Sequence, residues 1–437
     1  MEVCIGMDKT VFPGSLHGTL PILPSKSASH RAVMLAAMAR ERTDIAPLQL
    51  SRDIQATLAC AQALGLTDSV SVAQDESSGF MRARICGGEP SRSPRAMRTL
   101  DCGESGSTLR FFIPLALDGR GPVRFVGHGR LMQRPLDVYE QLFVPGGMTF
   151  AREGDFLTVE GELRSGEYAL RGDVSSQFIT GLLLALPRLA GDSTLTLVTP
   201  LESRPYVELT RRAQAAFGIV SHWEESGRRL RIPGGQAARS PGSLHVEGDW
   251  SHAAFYLTAG VIGRAGPVTL TGLDPRSAQG DRAIVTILRG MGAEIREESG
   301  RITAFPSRLH GLRVDVSQLP DLVPVLAVAM ACAQGESRIT GAARLRIKES
   351  DRLRAIRHAL NAAGADVTEQ ADGLIVHGGH PFHAACIDGC NDHRIVMAMA
   401  VAGTVAQGGL TLQGAEAAAK SAPAFWEEFA SLGGIAR

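Results

Sequence analysis

The chain has 437 residues, 44% of them hydrophobic and 21% charged, with 45 basic and 45 acidic side chains. Balanced charge leaves no global field to draw nucleic acid or an anionic membrane, and 15 Phe, 4 Tyr and 3 Trp are too few for base-stacking platforms. At ~100 to 200 residues per domain the length fits two or three domains, or one architecture built twice.

Taken in chain order, polar turns that open apolar helices recur six times. The openings are Ser25-Lys26-Ser27-Ala28-Ser29-His30-Arg31, Glu104-Ser105-Gly106-Ser107-Thr108, Gly172-Asp173-Val174-Ser175-Ser176-Gln177, Gly248-Asp249-Trp250-Ser251-His252, Gln318-Leu319-Pro320-Asp321 and Gly389-Cys390-Asn391-Asp392-His393-Arg394. Counted from Ser29, Ser107, Ser176, Ser251, Asp321 and Asp392, they come every 69 to 78 residues. Helix-like runs follow at 32–39, 111–117, 178–186, 253–261, 323–333 and 395–403. Short alternating strands come next, as at 123–126, 194–197 and 268–271. A second, amphipathic helix then ends at a glycine, as in 56–64 before Gly65 and 283–291 before Gly292. Six units of about 70 residues exceed one core. The economical packing is two domains of three units each, with crossovers after residue 24 and in the Gly/Pro/Ser-rich stretch 235–248. That predicts one domain from 1–24 and 248–437, and a second, inserted, from 25–247.

Seven cysteines (Cys4, Cys60, Cys86, Cys102, Cys332, Cys386, Cys390) form no Cys-x-x-Cys and no even framework, which points to a reducing cytoplasm. Met1-Glu2-Val3-Cys4 has no basic lead into an apolar core, so no signal peptide is expected. No apolar run is long enough to span a membrane. P-loop, H-E-x-x-H and G-x-S-x-G patterns are missing, so neither a nucleotide phosphate loop nor a metal is demanded.

Only four of the 45 basic residues are lysines: Lys9, Lys26, Lys348 and Lys420. In so arginine-rich a chain the last three mark places where a compact, titratable ammonium is needed. Ser, Thr, Asp and Asn at the openings serve by default as helix N-caps, each stabilising by ~1 kcal/mol, and Gly248–His252 needs no further role. The basic residues are different. Lys26, Arg31, Arg110 and Arg394 stand where the helix dipole disfavours positive charge, so an anion belongs between cation and helix head. In Arg344-Leu345-Arg346-Ile347-Lys348-Glu349-Ser350-Asp351-Arg352, a helix puts Lys348 and Arg352 on one face at a cost in repulsion. Glu349 beside them is a general acid or base candidate; the alternative is a solvated charged helix start with Ser350 and Asp351 as caps. Asp321, at the head of the most apolar helix, is the best general-base candidate, and Arg134 before Pro135 suits a bidentate anion contact.

These motifs, with Asp101-Cys102-Gly103-Glu104, Gln133-Arg134-Pro135, Ser203-Arg204-Pro205-Tyr206, Pro320-Asp321-Leu322-Val323-Pro324, Asp392-His393-Arg394 and Lys420-Ser421, run in order from about residue 20 to 430. Their series closely resembles the EPSP synthase (5-enolpyruvylshikimate-3-phosphate synthase) family of enolpyruvyl transferases. The resemblance implies an α/β fold of two similar domains, each of three βαβαββ repeat units (an inside-out α/β barrel), hinged around a central cleft that closes on its ligands. It implies transfer of the enolpyruvyl group of phosphoenolpyruvate to the 5-hydroxyl of shikimate 3-phosphate, with loss of phosphate, through a tetrahedral intermediate and with no metal or organic cofactor.

By motif position, the family pattern has Lys26, Ser27, Arg31, Ser175, Ser176, Gln177, Ser203, Tyr206, Asp321 and Lys348 holding shikimate 3-phosphate. Lys26, Gly106, Arg134, Gln177, Arg352, Arg394 and Lys420 hold phosphoenolpyruvate. Asp321 and Glu349 share the proton transfers with help from Lys26. The inserted domain mainly serves shikimate 3-phosphate, and the domain with the termini supplies phosphoenolpyruvate contacts and the carboxylates. A cytoplasmic monomer without nucleic-acid or membrane partners is expected. Glu104 stands where many members have Asn, and Ser107 where Thr is frequent, which bears on glyphosate sensitivity. Arg344 replaces an Asn of some members, so that substrate contact is not carried over.

The related UDP-N-acetylglucosamine enolpyruvyl transferases lead one to expect a reactive cysteine after the second opening, and residues 111–131 hold none. A catalytically dead phosphosugar-binding homologue, or a phosphate-binding scaffold for protein partners, has no need of Lys26, Asp321 and Glu349 together.

Overall fold

The computed structural model describes residues 7–76, 78–88 and 96–437, so Cys4 and the N-terminal stretch read for a signal peptide lie outside the described residues. The chain is α/β and divides into two compact units. The terminal unit is Met1–Leu23 with Glu247–Arg437, and the inserted unit is Pro24–Val246.

The helices of the inserted unit are α1 (Lys26–Met38), α2 (Arg52–Leu64), α3 (Gly106–Ala116), α4 (Asp137–Phe143), α5 (Ser176–Ala185) and α6 (Arg204–Ala216). Those of the terminal unit are α7 (Trp250–Ile262), α8 (Ile284–Gly290), α9 (Val323–Cys332), α10 (Arg352–Ala362), α11 (His393–Gly403) and α12 (Phe425–Ser431). Odd-numbered helices are inner. In α9 every residue from Val323 to Ala331 is buried, as a helix apolar all round requires. Even-numbered helices are outer and one-sided: α2 buries Ile54, Thr57, Leu58, Cys60, Ala61 and Leu64 at helical spacing.

Each unit carries three four-stranded sheets. In three of the six sheets, two strands run parallel on either side of an inner helix, and two antiparallel strands follow the outer helix. Arg98–Asp101 pairs parallel with Val123–Val126, which pairs antiparallel with Phe156–Glu160, with Thr149–Glu153 outermost. The parallel pair needs the crossover helix, and the antiparallel pair needs only a turn. Distant segments complete the sheets at the unit borders. Gly18–Pro21 joins Val268–Thr271, Ser243–Leu244 joins Asp44–Ile45, and Lys9–Phe12 lies between Gln407–Gln413 and Ile435–Ala436.

The structure settles the caps and changes one expectation. The caps precede the residues from which the period was counted. Ser25, Ser105, Ser175 and Asp249 accept the first-turn amides, so Ser29, Ser107, Ser176 and Ser251 lie inside helices. The 343–352 segment is not one helix. Ala343–Ile347 is a 3-10 turn, Lys348 is extended, and α10 begins at Arg352 under an Asp351 cap. Lys348 and Arg352 therefore do not share a helix face, and the repulsion of an i,i+4 pair does not arise.

A repeated close approach locks the inner helices to the sheets. A β-carbon on Gly87 would lie 1.6 Å from the Ala39 carbonyl oxygen just past α1. One on Gly234 would lie 2.1 Å from the Gly191 oxygen beyond α5, and one on Gly378 would lie 2.1 Å from the Ala333 oxygen beyond α9. Gly87→Ala forces backbone apart, and overpacking of this kind costs about 1–3 kcal/mol. Its melting temperature is expected to fall by at least about 2 °C, and an unchanged melting curve contradicts the packing described.

Candidate functional site

In the inserted unit the heads of α1, α3 and α5 carry the charged and hydroxyl side chains. Lys26, the first residue of α1, donates from Nζ to Asp53 Oδ2 at 3.0 Å, with both side chains less than a fifth exposed. Arg31, one turn deeper, is 3% exposed. Its Nε donates to Thr210 Oγ1 (2.8 Å), Nη1 to the Ser27 carbonyl (2.8 Å) and Nη2 to the Tyr206 carbonyl (3.0 Å) and Thr180 Oγ1 (3.4 Å). Burial lowers its pKa to about 10. Arg31 thus ties α1 to α5 and to the turn at Ser203–Tyr206, where Ser203 adopts φ 56°, a left-handed conformation uncommon outside glycine.

Gln177 bridges the other two helices. Its Nε2 donates to Ser107 Oγ at 2.9 Å, and its Oε1 accepts from Arg110 Nη1 at 2.7 Å. Gly106 opens α3, and a β-carbon there would stand 2.6 Å from Arg134 Nη1 and 3.0 Å from Arg110 Nη1. The missing side chain is what lets two guanidiniums lie against the helix head. Ser27 and Ser175 are half-buried and Ser176 is 6% exposed. Behind them runs a buried hydrogen-bonded chain from His30 Nδ1 to Thr57 Oγ1 (2.8 Å), to Thr108 Oγ1 (2.7 Å), to Ser105 Oγ (2.7 Å). Burial, Lys26 and Arg31 hold His30 well below its usual pKa, so the imidazole is neutral.

In the terminal unit the cluster is ionic. Arg352 is 1% exposed and meets three carboxylates. Its Nε donates to Asp392 Oδ2 (2.8 Å), Nη1 to Asp321 Oδ1 (2.9 Å) and Nη2 to Glu349 Oε2 (2.6 Å). Burial opposes its charge, but Asp392, Glu349 and Asp321 raise its pKa above the ordinary arginine value. Arg394 donates from Nη2 to Asp321 Oδ2 (2.9 Å) and from Nη1 to the Asp321 carbonyl (3.1 Å). Asp392 is fully buried, caps α11 and also accepts from Ser350 Oγ at 2.9 Å. Lys420 donates to the Asn391 carbonyl at 2.8 Å.

Burial alone raises the pKa of Asp321, but Arg394, Lys348 and Arg352 overwhelm it and hold the carboxyl far below the carboxylate range. Lys348 goes the other way. Burial, with Arg344 and Arg352 nearby, lowers its pKa to about 7 against the pull of Asp321 and Glu349. Among the described residues no three His, Cys, Asp or Glu side chains converge as a metal-holding group.

Within the terminal unit the structure brings Asp321, Glu349, Arg352 and Arg394 into one network with Lys348 close enough to act on it. Within the inserted unit it links Arg31 to Ser27 and Tyr206, and Gly106 to Arg134, while Lys26 is held by a residue not anticipated from sequence. Asp53 reads as an ordinary acidic first-turn residue of α2, and no spacing signal marks it as the partner of Lys26. Gly248–His252 is structural at its cap, where Asp249 accepts from the His252 amide. His252 Nε2 and Tyr256 Oη in turn share Glu428 at 2.6 and 2.8 Å.

An α/β chain of two triple-repeat units, with guanidiniums and ammoniums gathered at helix heads, belongs to the class of proteins that bind multiply charged small anions. A family model described as EPSP synthase (3-phosphoshikimate 1-carboxyvinyltransferase) matches residues 12–429. A 3-phosphoshikimate 1-carboxyvinyltransferase of Clostridium kluyveri is 41% identical over 432 residues, covering 97% of each chain, and one of Clostridium novyi is 40% identical over 429 residues, again 97% of each. The solved EPSP synthase of Acinetobacter baumannii superposes with a TM-score of 0.78 at 26% identity, over 98% of this chain and 99% of that one. The chain belongs to the EPSP synthase family.

The displaced pKa of Lys348 has a measurable consequence for stability. An unfolded lysine keeps its proton to 10.5 and the folded one only to about 7. Between those values the unfolded chain binds more protons, so the stability this group contributes rises with pH from 7 to 10.5 and is lowest below 7. Lys348→Met removes that cost. At pH 6 its melting temperature is expected to exceed the wild type's by at least about 2 °C, with the difference closing toward pH 10.5. A difference that is absent, or that grows with pH, contradicts the assignment.

Proposed function

We propose that the chain transfers the enolpyruvyl group of phosphoenolpyruvate to the 5-hydroxyl of shikimate 3-phosphate, giving 5-enolpyruvylshikimate 3-phosphate and inorganic phosphate in the shikimate pathway. The observation that carries the reading is the Asp321–Arg352–Glu349 cluster at helix heads in a chain that matches its family model from residue 12 to 429. Lys26, Ser27, Arg31, Ser175, Ser176, Gln177, Ser203, Tyr206, Asp321 and Lys348 serve shikimate 3-phosphate. Lys26, Gly106, Arg134, Gln177, Arg352, Arg394 and Lys420 serve phosphoenolpyruvate. The enzyme works as a cytoplasmic monomer without metal or organic cofactor. In support, one chain carries every group assigned, and no helix among the described residues is long and apolar enough to cross a membrane.

In the addition step C3 of phosphoenolpyruvate gains a proton, the 5-oxygen bonds to C2 and the hydroxyl proton passes to a carboxylate. In the elimination step the C2–O bond to phosphate breaks and C3 gives a proton back. Asp321 and Glu349 hold those protons, with Lys26 assisting. Fixed cations supply the electrostatic stabilisation of an anionic transition state. The pairing with Arg352 and Arg394 makes Asp321 a poor base while both arginines stay on it. Substrate phosphate and carboxylate groups compete for the same guanidiniums, and each arginine drawn away raises the proton affinity of Asp321.

Phosphate release on mixing the protein with both substrates in EDTA tests the reading. Release is expected only when both are present, and it is expected to vanish in Lys26→Met. Release from phosphoenolpyruvate alone, or none from the pair, overturns it. Gly106→Ala must push Arg134 aside, and a reoriented anion contact of this kind is worth about 1.5–3 kcal/mol. The KM for phosphoenolpyruvate is therefore expected to rise by at least about tenfold, with a smaller change for shikimate 3-phosphate.

A further inference from the structure

Between the strand His383–Asp388 and α11 the chain turns through Gly389, Cys390, Asn391 and Asp392. The Asp392 amide donates to the Gly389 carbonyl at 2.9 Å, and Cys390 and Asn391 adopt φ 52° and 50°. Positive φ at both central positions, closed by that hydrogen bond, is a turn of type I′, where Gly, Asn and Asp are the usual residues. Asn391 is at home there. Cys390 is not, because its β-carbon crowds the backbone in the left-handed region.

Both ends of the turn are fixed. The Gly389 amide donates to the Gln413 carbonyl at 3.1 Å, and a β-carbon on Gly389 would lie 2.6 Å from that oxygen and 2.7 Å from Val396 Cγ2. The Cys390 amide donates to Asp388 Oδ1 at 2.7 Å. Asp392 caps α11 and accepts from Arg352 and Ser350. The surroundings thus hold a strained residue in place, and strain held in this way gathers at sites that need a pre-set backbone. What the turn presents is the Asn391 carbonyl, which accepts from Lys420 Nζ at 2.8 Å, on a side chain that is 6% exposed. Neither Cys390 nor Asn391 belongs to the set assigned to either substrate.

We propose that the Cys390–Asn391 turn is a positioning element for the reaction: two adjacent left-handed residues, neither of them glycine, lock the Asn391 carbonyl against Lys420 and so aim its ammonium at phosphoenolpyruvate. A glycine at 390 satisfies the turn without strain, but it opens further regions of positive φ, and the carbonyl that follows is then free to swing. A β-carbon at 390 costs stability and removes that freedom. The inference rests on the reaction proposed above, because it takes Lys420 as a phosphoenolpyruvate contact.

Cys390→Gly relieves the strain and frees the turn. Its melting temperature is expected to stay within about 2 °C of the wild type's or to exceed it, while the KM for phosphoenolpyruvate rises by at least about fivefold. A larger fall in melting temperature, or an unchanged KM, overturns the proposal. A double-mutant cycle with Lys420→Met tests the route. If the turn acts through Lys420, Cys390→Gly raises the KM by less than about twofold once the ammonium is gone; the same fivefold rise in both backgrounds makes the turn a merely structural element. Because the chain has only four lysines, nuclear magnetic resonance of protein isotope-labelled at lysine Cε gives a readout independent of turnover. The Lys420 signal is the one lost in Lys420→Met. In the ligand-free wild type its two ε-protons are expected to differ in shift, as in a held side chain, and in Cys390→Gly to merge; a signal that the substitution leaves unchanged overturns the proposal. If that signal responds but the wild type does not turn over, the reaction reading has failed by itself. Calorimetric titration of wild type and Cys390→Gly with phosphoenolpyruvate then replaces KM, with the same fivefold weakening expected and equal affinities counting against the proposal.

Discussion

Everything in the terminal unit that bears on chemistry depends on one buried guanidinium. Arg352 reaches Asp321, Glu349 and Asp392 with three different nitrogens. In doing so it fixes the start of α10 to the heads of α9 and α11. A cation at a helix N-terminus is unfavourable alone, and one nearly sealed from water is worse. Three carboxylates reverse both penalties, and Asp392 is the decisive one because it is fully buried and already committed as the α11 cap. Removing a single partner from such a cluster generally costs about 3–5 kcal/mol, since the remaining charges stay buried. The geometry is therefore rigid where it must hold an anion and adaptable only in the two more exposed carboxylates, Asp321 and Glu349, at 19% and 24% side-chain exposure.

In the proposed reaction that asymmetry would couple binding to proton transfer. Asp321 is gripped by two arginines, so its basicity is suppressed as long as they have no other anion. Phosphoenolpyruvate offers them a carboxylate and a phosphate. On the proposed reading, binding energy from a part of the substrate remote from the attacking oxygen would be converted into base strength at the reacting oxygen, which is how binding contributes to rate and not merely to affinity. Lys348 is the counterpart. Its ammonium, crowded by Arg344 and Arg352, gives up a proton near neutrality, and a substrate phosphate beside it would restore the charge.

Much of this was legible in the sequence, for identifiable reasons. The six polar openings could be found because the inner helices they begin are apolar all round, so that a cap followed by an unbroken apolar run recurs at a near-constant interval. The strands at 123–126 and 268–271 could be read because alternation is a local property. Which residue of each opening caps its helix was left open, because Ser-rich openings hold several competent capping residues, and which one turns outward is decided by packing. In the 343–352 segment two readings stood open, one helix carrying Lys348 and Arg352 on a face or a helix start capped by Ser350 or Asp351, and charge spacing alone could not decide between them; the structure has the Asp351 cap. Asp53 was invisible in the sequence because its partner, Lys26 at a separation of 27, is set by tertiary contact.

The scarcity of lysine was the most informative compositional signal, and the contacts explain it. Arg31, Arg352 and Arg394 each engage two or more protein acceptors at once, which a planar fork does well. Lys26 and Lys420 make short contacts to Asp53 and to the Asn391 carbonyl. Lys348 is the residue whose charge is in balance near neutrality. A guanidinium at that position would keep its proton at any attainable pH, leaving the cluster one fixed positive charge richer and Asp321 weaker still as a base. Lys9, by contrast, lies 5.6 Å from the Trp426 ring centroid on the border strand, a contact that an arginine would make equally well. The lysines that matter are therefore those where a compact charge, or one that can be lost, cannot be replaced by a permanent planar one.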